Sequence, residues 1–458
     1  MRNLRLALLF SVFLLAADAA AGWQDLAGPE NAPEQIAPID APFDMPQLQR
    51  PVFPEAVFPV TDFGAKPGGE FKNTKAIGAA IAACAEAGGG TVQIPAGLWL
   101  TGAIHLRSNV NLNLARDAVL RFSDDPNDYL PVVFTRWAGF ECYNYSPLIY
   151  ARDCENIAVT GPGTIDGNGR PWWPWAERQA ATAEGMYQEQ ILKYVPPDKR
   201  VYGTPQHGLR PQLISPINCT NVLLEGFTIA EPGPFWTIDL VYCDRVVARK
   251  LRVTTEGGPN TDGLNVDSST NVLIEHCFFN TGDDCICMKS GMNEDGWRVG
   301  KPTENVVVRY NRTAQGHGGA VFGSDTSGGI RNVYVHSCVF DGTDVGIRLK
   351  STRGRGGFVE KIWIENIDMK NVRREAVQIT TAYRAWMATT TGQCPKFRDL
   401  AFRDIRVDGA ERAASISGLP EMPVQRLKFE NFTVKAGKGI FAECVRGLEL
   451  ENVTVQNR

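Results

Sequence analysis

The chain carries no excess of positive charge, and that excludes one class of partner. Its 458 residues hold 47 Lys and Arg against 51 Asp and Glu, a formal net charge of −4, and the sequence pI is near 5.9. Such a balance gives no general attraction for nucleic acid. It leaves an acidic ligand open, because the local charge of a cleft decides that. Beyond the N-terminus there is no run of eighteen uninterrupted apolar residues, so no later segment reads as a membrane span. The eleven cysteines include no paired C-x-x-C spacings of a zinc site. Cys285 and Cys287, one residue apart, suit two same-face positions of a strand. Most of the eleven read as small buried hydrophobes; one or two disulfides after export remain open, with pairing that spacing does not fix. Histidine is scarce, with five in the chain.

What is present begins with a leader. Arg2 and Arg5 precede an apolar stretch, residues 6–17, and Ala17, Ala19 and Ala21 give an A-x-A cleavage pattern. This reads as a signal peptide over 1–21, hence an exported chain, secreted or periplasmic, with no membrane attachment once the leader is cut. The first cysteine is Cys84, too distant for a lipid anchor. Residues 22–55 are rich in Pro and Ala and read as an extended arm without its own core. Residues 56–458 form the remaining unit.

Within that unit, residues 75–87 predict a helix: Asn73 or Thr74 can cap it, and Ala76, Ile77, Ala80, Ile81 and Cys84 give one apolar face. Gly88–Gly90 end it. A repeat then dominates. CENIAVTGPGTI (154–165), CTNVLLEGFTI (219–229), STNVLIEHCFF (269–279), IRNVYVHSCVF (330–340) and VQRLKFENFTV (424–434) are five of ten copies. Each has an alternating strand, a polar turn and a second short strand. The period of two marks strands, and recurrence at roughly twenty to forty residues marks a solenoid. No copy buries its own apolar side, so the copies must stack. Stacked parallel strands imply an all-β fold, a single-stranded right-handed parallel β-helix, with recurrent Asn at left-handed turns and the N-terminal helix capping the open end. Long interruptions at 115–150 and 166–215 carry Trp137, Tyr143, Tyr145, Trp172, Trp173 and Trp175, which could wall a sugar-binding groove or simply pack the loops.

The chemistry concentrates in four short stretches. NTGDDCICMKSG (280–291) places Asp283 beside Asp284, and Asp262 lies 21 residues earlier, about one coil away. Stacking at ~4.8 Å brings the three acids within reach of one another. Crowded carboxylates raise each other's pKa, which leaves one protonated and one ionised, the pair that glycoside hydrolysis needs. Side chains alternate along a strand, so Asp283 and Asp284 reach one groove only if the chain bends there, and Gly282 permits a bend. His317 sits in the Gly-rich QGHGGAVFGSD (315–325) one coil on, placed to tune the acid's protonation. Arg348 and Lys350, in GIRLKSTRGRGG (346–357), share a strand face and suit a substrate carboxylate.

NTD at 260–262, GDD at 282–284, GHG at 316–318 and RLK at 348–350 resemble, in order and spacing, the four signatures of family 28 glycoside hydrolases, the polygalacturonases. The resemblance extends from about residue 62 to the C-terminus. It implies a β-helix enzyme, with no metal and no cofactor, that hydrolyses α-1,4-galacturonosidic bonds in pectin with inversion. It implies Asp283 as general acid, Asp262 and Asp284 holding and activating the water, His317 supporting the acid, and Arg348, Lys350 and Tyr383 binding the galacturonate. The coil spacing by itself would put the carboxylates nearer the short separation of retaining enzymes. The stretches 135–151 and 233–238 resemble members that act from chain ends, so exo attack by a monomer on galacturonan is expected. Endo attack, a decorated pectin such as rhamnogalacturonan, a pectate-lyase-type elimination and a non-catalytic carbohydrate-binding solenoid are the alternatives.

Overall fold

The structure, a computed structural model, describes residues 22–383 and 391–457; the expected signal peptide lies outside the described residues. Short strands wind into a parallel β-helix, each coil lending strands to three stacked ladders. One coil shows the plan: Leu264–Asp267, Thr270–Glu275 and Phe278–Thr281 pair in parallel with Ile286–Lys289, Thr303–Arg309 and Arg312–Thr313 of the next. Parallel connections of this kind take the right-handed sense. The ladder through Leu264–Asp267 and Ile286–Lys289 forms the floor of the functional cleft.

The repeat folds this way because its two periodicities agree. Val272 and Ile274 point inward to the core, whereas Leu273 points outward. Near the start of each strand of this ladder one residue drops out of the parallel pairing and needs left-handed backbone. Asn156, Asn221, Asn271, Asn305 and Asn332 all supply it, with φ between 53° and 59°. Their side chains also stack: Asn156 donates to Asn109 (3.0 Å), Asn221 to Asn156 (2.6 Å), Asn305 to Asn271 (3.2 Å) and Asn332 to Asn305 (3.1 Å). The expected Asn turns are therefore also a hydrogen-bonded ladder. Asn311, in the glycosylation-like sequence Asn-Arg-Thr, is buried and bonded to the Ile274 and Arg309 carbonyls.

The helix Thr74–Glu86 covers the first coil with the expected face, Ala76, Ile77, Ala80, Ile81 and Cys84, all buried. The capping expectation needs correction. The Asn73 side chain makes no cap bond; it holds the preceding loop through Lys66 N (2.7 Å) and the Leu100 carbonyl (3.1 Å). Thr74 Oγ1 instead accepts from Gly102 N at 2.6 Å. All eleven cysteines, every one within the described residues, are free thiols. Cys285 and Cys287 do not share a face. Cys285 precedes the strand and sits in the core, while Cys287, between inward Ile286 and Met288, points out.

Residues 22–55 lie along the outside of the second ladder. Ile39 and Leu48 bury themselves on the outward residues Ala158, Leu223, Val247, Leu273 and Val307. Arginines of the coils hold the arm's carbonyls: Arg249 donates to Pro33 (2.7 Å), Arg309 to Ala37 (2.7 Å) and Arg312 to Ala27 (2.7 Å). With both faces covered, this ladder can be apolar on both.

Candidate active site

The Asp-Asp pair lies in a bend, not in a strand. Phe278–Thr281 ends before it and Ile286–Lys289 begins after it. Gly282 allows the bend by close approach: a Cβ there would meet Thr261 Oγ1 at 2.4 Å and the Gly258 carbonyl at 2.6 Å. Outside a strand the alternation rule lapses, and both aspartates face the cleft. Asp262 occupies the corresponding corner one coil earlier, where Gly263 N donates to the Asp284 carbonyl at 2.9 Å. On the next coil His317 N donates to the Asp283 carbonyl at 3.0 Å. Gly316 is obligatory beside it, since its φ is 148° and a Cβ would meet Cys285 Sγ at 2.5 Å.

Each acid has a distinct partner. Asp283 Oδ1 meets His317 Nδ1 at 2.9 Å and also accepts from Asp284 N at 2.9 Å. Asp284 Oδ2 accepts from Lys350 Nζ at 2.8 Å. Asp262 Oδ2 pairs with Lys289 Nζ at 3.2 Å. The second oxygens of Asp262 and Asp284 are buried with no hydrogen-bond partner among the described residues. Arg348 lies 4.0 Å from Asp284 and donates through Nε to Gln378 at 2.9 Å. The Tyr383 ring lies 5.3 Å from the Arg348 guanidinium and 5.7 Å from the Lys350 ammonium. All seven residues named from sequence thus meet in one cleft.

The proton distribution differs from simple crowding. Burial raises the Asp262 carboxyl; Lys289 opposes this, the charges of Asp283 and Asp284 add to it, and the result is about 7. Burial would also raise Asp283, but the hydrogen bond and charge of His317, with Lys350 and Lys289 behind it, win and bring it to about 2. His317 is raised, first by its hydrogen bond to Asp283. The two shifts favour a carboxylate beside an imidazolium, and the raised carboxyl expected among the three acids is met at Asp262, where burial comes first and the neighbouring charges add to it. Asp283, Asp284 and His317 are also the one group among the described residues whose ligand-type atoms all lie within 4.8 Å of one another.

Sequence reading missed Lys289. It lies inside the quoted CICMKSG, is 5% exposed and has its ammonium 4.4 Å from the Trp236 ring. Counting outward positions from Cys287 would have placed it in the cleft. Trp236 stacks on Phe235 at 5.0 Å, and Phe235 on Trp137 at 5.3 Å. Of the loop aromatics, Trp137, Tyr145 and Trp172 are buried packing residues; Trp173 is half-buried near Gly258.

One row of the floor reports the cleft's shape. Asp239, Asn265, Cys287 and Val321 lie side by side on successive strands, each fully buried. Arg348, Gln378, Ser415 and Phe441 continue the same row. There exposure climbs, from 8% at Arg348 to 43% at Phe441. The N-terminal part is roofed by the antiparallel hairpin Val133–Trp137 and Phe140–Asn144. Arg136 fixes the hairpin through Asp267 (3.0 Å, both side chains fully buried) and Ser268 (2.7 Å). The cleft is shut at one end and open at the other.

Comparison with known proteins gives a consistent family. The model for glycosyl hydrolases family 28 matches residues 84–445. A probable polygalacturonase of Vitis vinifera is 30% identical over 396 residues, covering 82% of this chain and 73% of its own. The exo-poly-alpha-D-galacturonosidase of Dickeya chrysanthemi is 30% identical over 398 residues, 79% of this chain and 64% of its own. Among solved structures, a hyperthermoactive exopolygalacturonase from Thermotoga maritima superposes with a TM-score of 0.85 at 34% identity, covering 89% of this chain and 94% of that one.

Proposed function

Because the chain belongs to glycoside hydrolase family 28, we propose that it hydrolyses α-1,4-galacturonosidic bonds of pectin, with inversion, from the chain end. The single observation that carries the chemistry is the division of labour among the acids. Asp262 and Asp284 each keep a buried oxygen without a hydrogen bond among the described residues, while Asp283 is committed to His317.

In this reading water is held by Asp262 and Asp284, which take its proton as it attacks the anomeric carbon. The Asp283–His317 pair carries one proton. It crosses the 2.9 Å contact to Asp283, which passes that same proton on to the leaving glycosidic oxygen and leaves His317 neutral. The pair thus acts as a single acid, able to give a proton while its carboxyl alone would be too weakly basic to hold one. Arg348 and Lys350 neutralise the galacturonate carboxylate, Arg348 being able to bind it in the bidentate way. Tyr383 covers both cations. No step in this account requires a metal or a cofactor.

The roofed end of the floor supports exo attack, since the hairpin covers the side toward which a chain running through the cleft would have to continue. The relatives described as exo-acting support this mode. Export to the periplasm or beyond fits a polymeric substrate; among the described residues no helix is long and apolar enough to cross a membrane. The deciding experiment is a product profile on polygalacturonate. Short products of one size from the first time points, with slow viscosity loss, are expected. A ladder of oligomers with fast viscosity loss would replace exo by endo attack. An unsaturated, ultraviolet-absorbing product would replace hydrolysis by elimination.

A further inference from the structure

The open end of the floor has its own chemistry. Past Arg348, the same row runs through Gln378 and Ser415 to Phe441 on the last strand of the floor. Three steps at ~4.8 Å carry it about 14 Å beyond the site. Phe441 is a large apolar ring, 43% exposed, where the row otherwise turns polar. The Arg412 guanidinium stands over one side of its ring, 5.9 Å from the centroid. Arg412 lies on the row of Glu375 and Lys438, where Lys438 is tied to Glu411 at 2.7 Å. Glu443 stands one row over, in line with Ser417, so an anion would bind on the Arg412 side of the ring.

An exposed aromatic face with a cation beside it is suited to a hexuronate. The ring takes the apolar face of the sugar, and the guanidinium takes the carboxylate. Its alignment with Arg348 puts it where a chain seated at the closed end must leave. We propose that Phe441 and Arg412 form a distal subsite that holds the outgoing part of a polyuronate several residues from the bond being cut. This rests on the galacturonan-hydrolase reading above, and it adds a site that the four sequence signatures do not contain.

The test compares chain lengths. Wild type, Phe441→Ala, Phe441→Tyr and Arg412→Gln are assayed on trigalacturonate and on polygalacturonate, and binding of oligogalacturonates of increasing length is measured calorimetrically on the Asp283→Asn background. Phe441→Ala is expected to lower kcat/KM on the polymer relative to the trimer by about fivefold, through KM, as befits one aromatic contact. Phe441→Tyr should restore the ratio. Arg412→Gln should lower the ratio too, and its effect should shrink at high salt and on methyl-esterified polymer. In the binding series, the affinity gained with each added sugar should stop earlier in Phe441→Ala. An unchanged polymer-to-trimer ratio in both Phe441→Ala and Arg412→Gln, with unaltered melting temperatures, overturns the subsite while leaving the hydrolase reading intact. A wild-type enzyme that releases nothing from either substrate overturns that reading and the subsite with it.

Discussion

At the scale of single residues, His317 matters because it decides where a proton rests. Its pKa is raised above the ordinary 6.5, first by its hydrogen bond to Asp283, and Asp283 is held down near 2 against an ordinary 3.8. The two shifts bound a stability window. The histidine's contribution is complete below pH 6.5 and fades as pH rises through its folded-state value; the aspartate's is complete above 3.8 and fades as pH falls toward 2. His317→Ala should therefore lower the melting temperature most between about pH 4 and 6.5 and least outside it. A pH-independent difference would mean the pair is not formed in solution. The same variant should cost about 10²-fold or more in kcat. Lys289 acts on the other side of the reaction. It opposes the burial that lifts Asp262 to about 7, so Lys289→Gln should move the acid limb of kcat/KM to higher pH, and Lys289→Arg should return it. An acid limb unmoved in Lys289→Gln would detach the lysine from the water-holding acid. These residues also mark how far sequence reaches. The gathering of six candidate residues in one cleft was legible because four ordered motifs recur at coil spacing; Tyr383, outside those motifs, rested on a separate resemblance. The shared facing of Asp283 and Asp284 was not, since the alternation rule holds in strands and they lie in a bend. Nor was the proton's location, which depends on a 2.9 Å contact between coils.

At the scale of elements, the hairpin Val133–Trp137 and Phe140–Asn144 turns an open trough into a blind one. Its hold rests on Arg136, buried without exposure against Asp267. Arg136→Ala would strand the Asp267 carboxylate in the interior, a change that costs about 3–5 kcal/mol. Urea unfolding should show that loss, and the Arg136→Met, Asp267→Asn double variant should recover part of it. A single variant as stable as wild type would mean the pair is solvated. The repeat was the most legible element in the chain, because each copy states strand, turn and strand with the same residue types. The hairpin was not, because its sequence carries no period. Its aromatics read equally as sugar walls or as packing, and burial decided for packing at Trp137 and Tyr145.

At the scale of the whole molecule, the arm over residues 22–55 covers what the coils leave apolar. Leu223, Val247, Leu273 and Val307 point away from the core and are buried beneath Ile39 and Leu48. Removing 22–55 would expose a contiguous strip along parallel strands, the kind of surface that self-associates. The truncated protein should elute as larger species in size-exclusion chromatography and melt lower. If it stays monodisperse with an unchanged melting temperature, the arm is dispensable. Sequence composition showed that the arm has no core of its own, but not which ladder it lies on, since that depends on outward residues scattered over five coils. The arm also sets an order of events. It leaves the ribosome ahead of every coil it covers, yet the carbonyls of Ala27 and Ala37 are held by Arg312 and Arg309. Those arginines arrive almost three hundred residues later, so these two ties, unlike the one from Arg249 to Pro33, can close only when most of the coils are already wound.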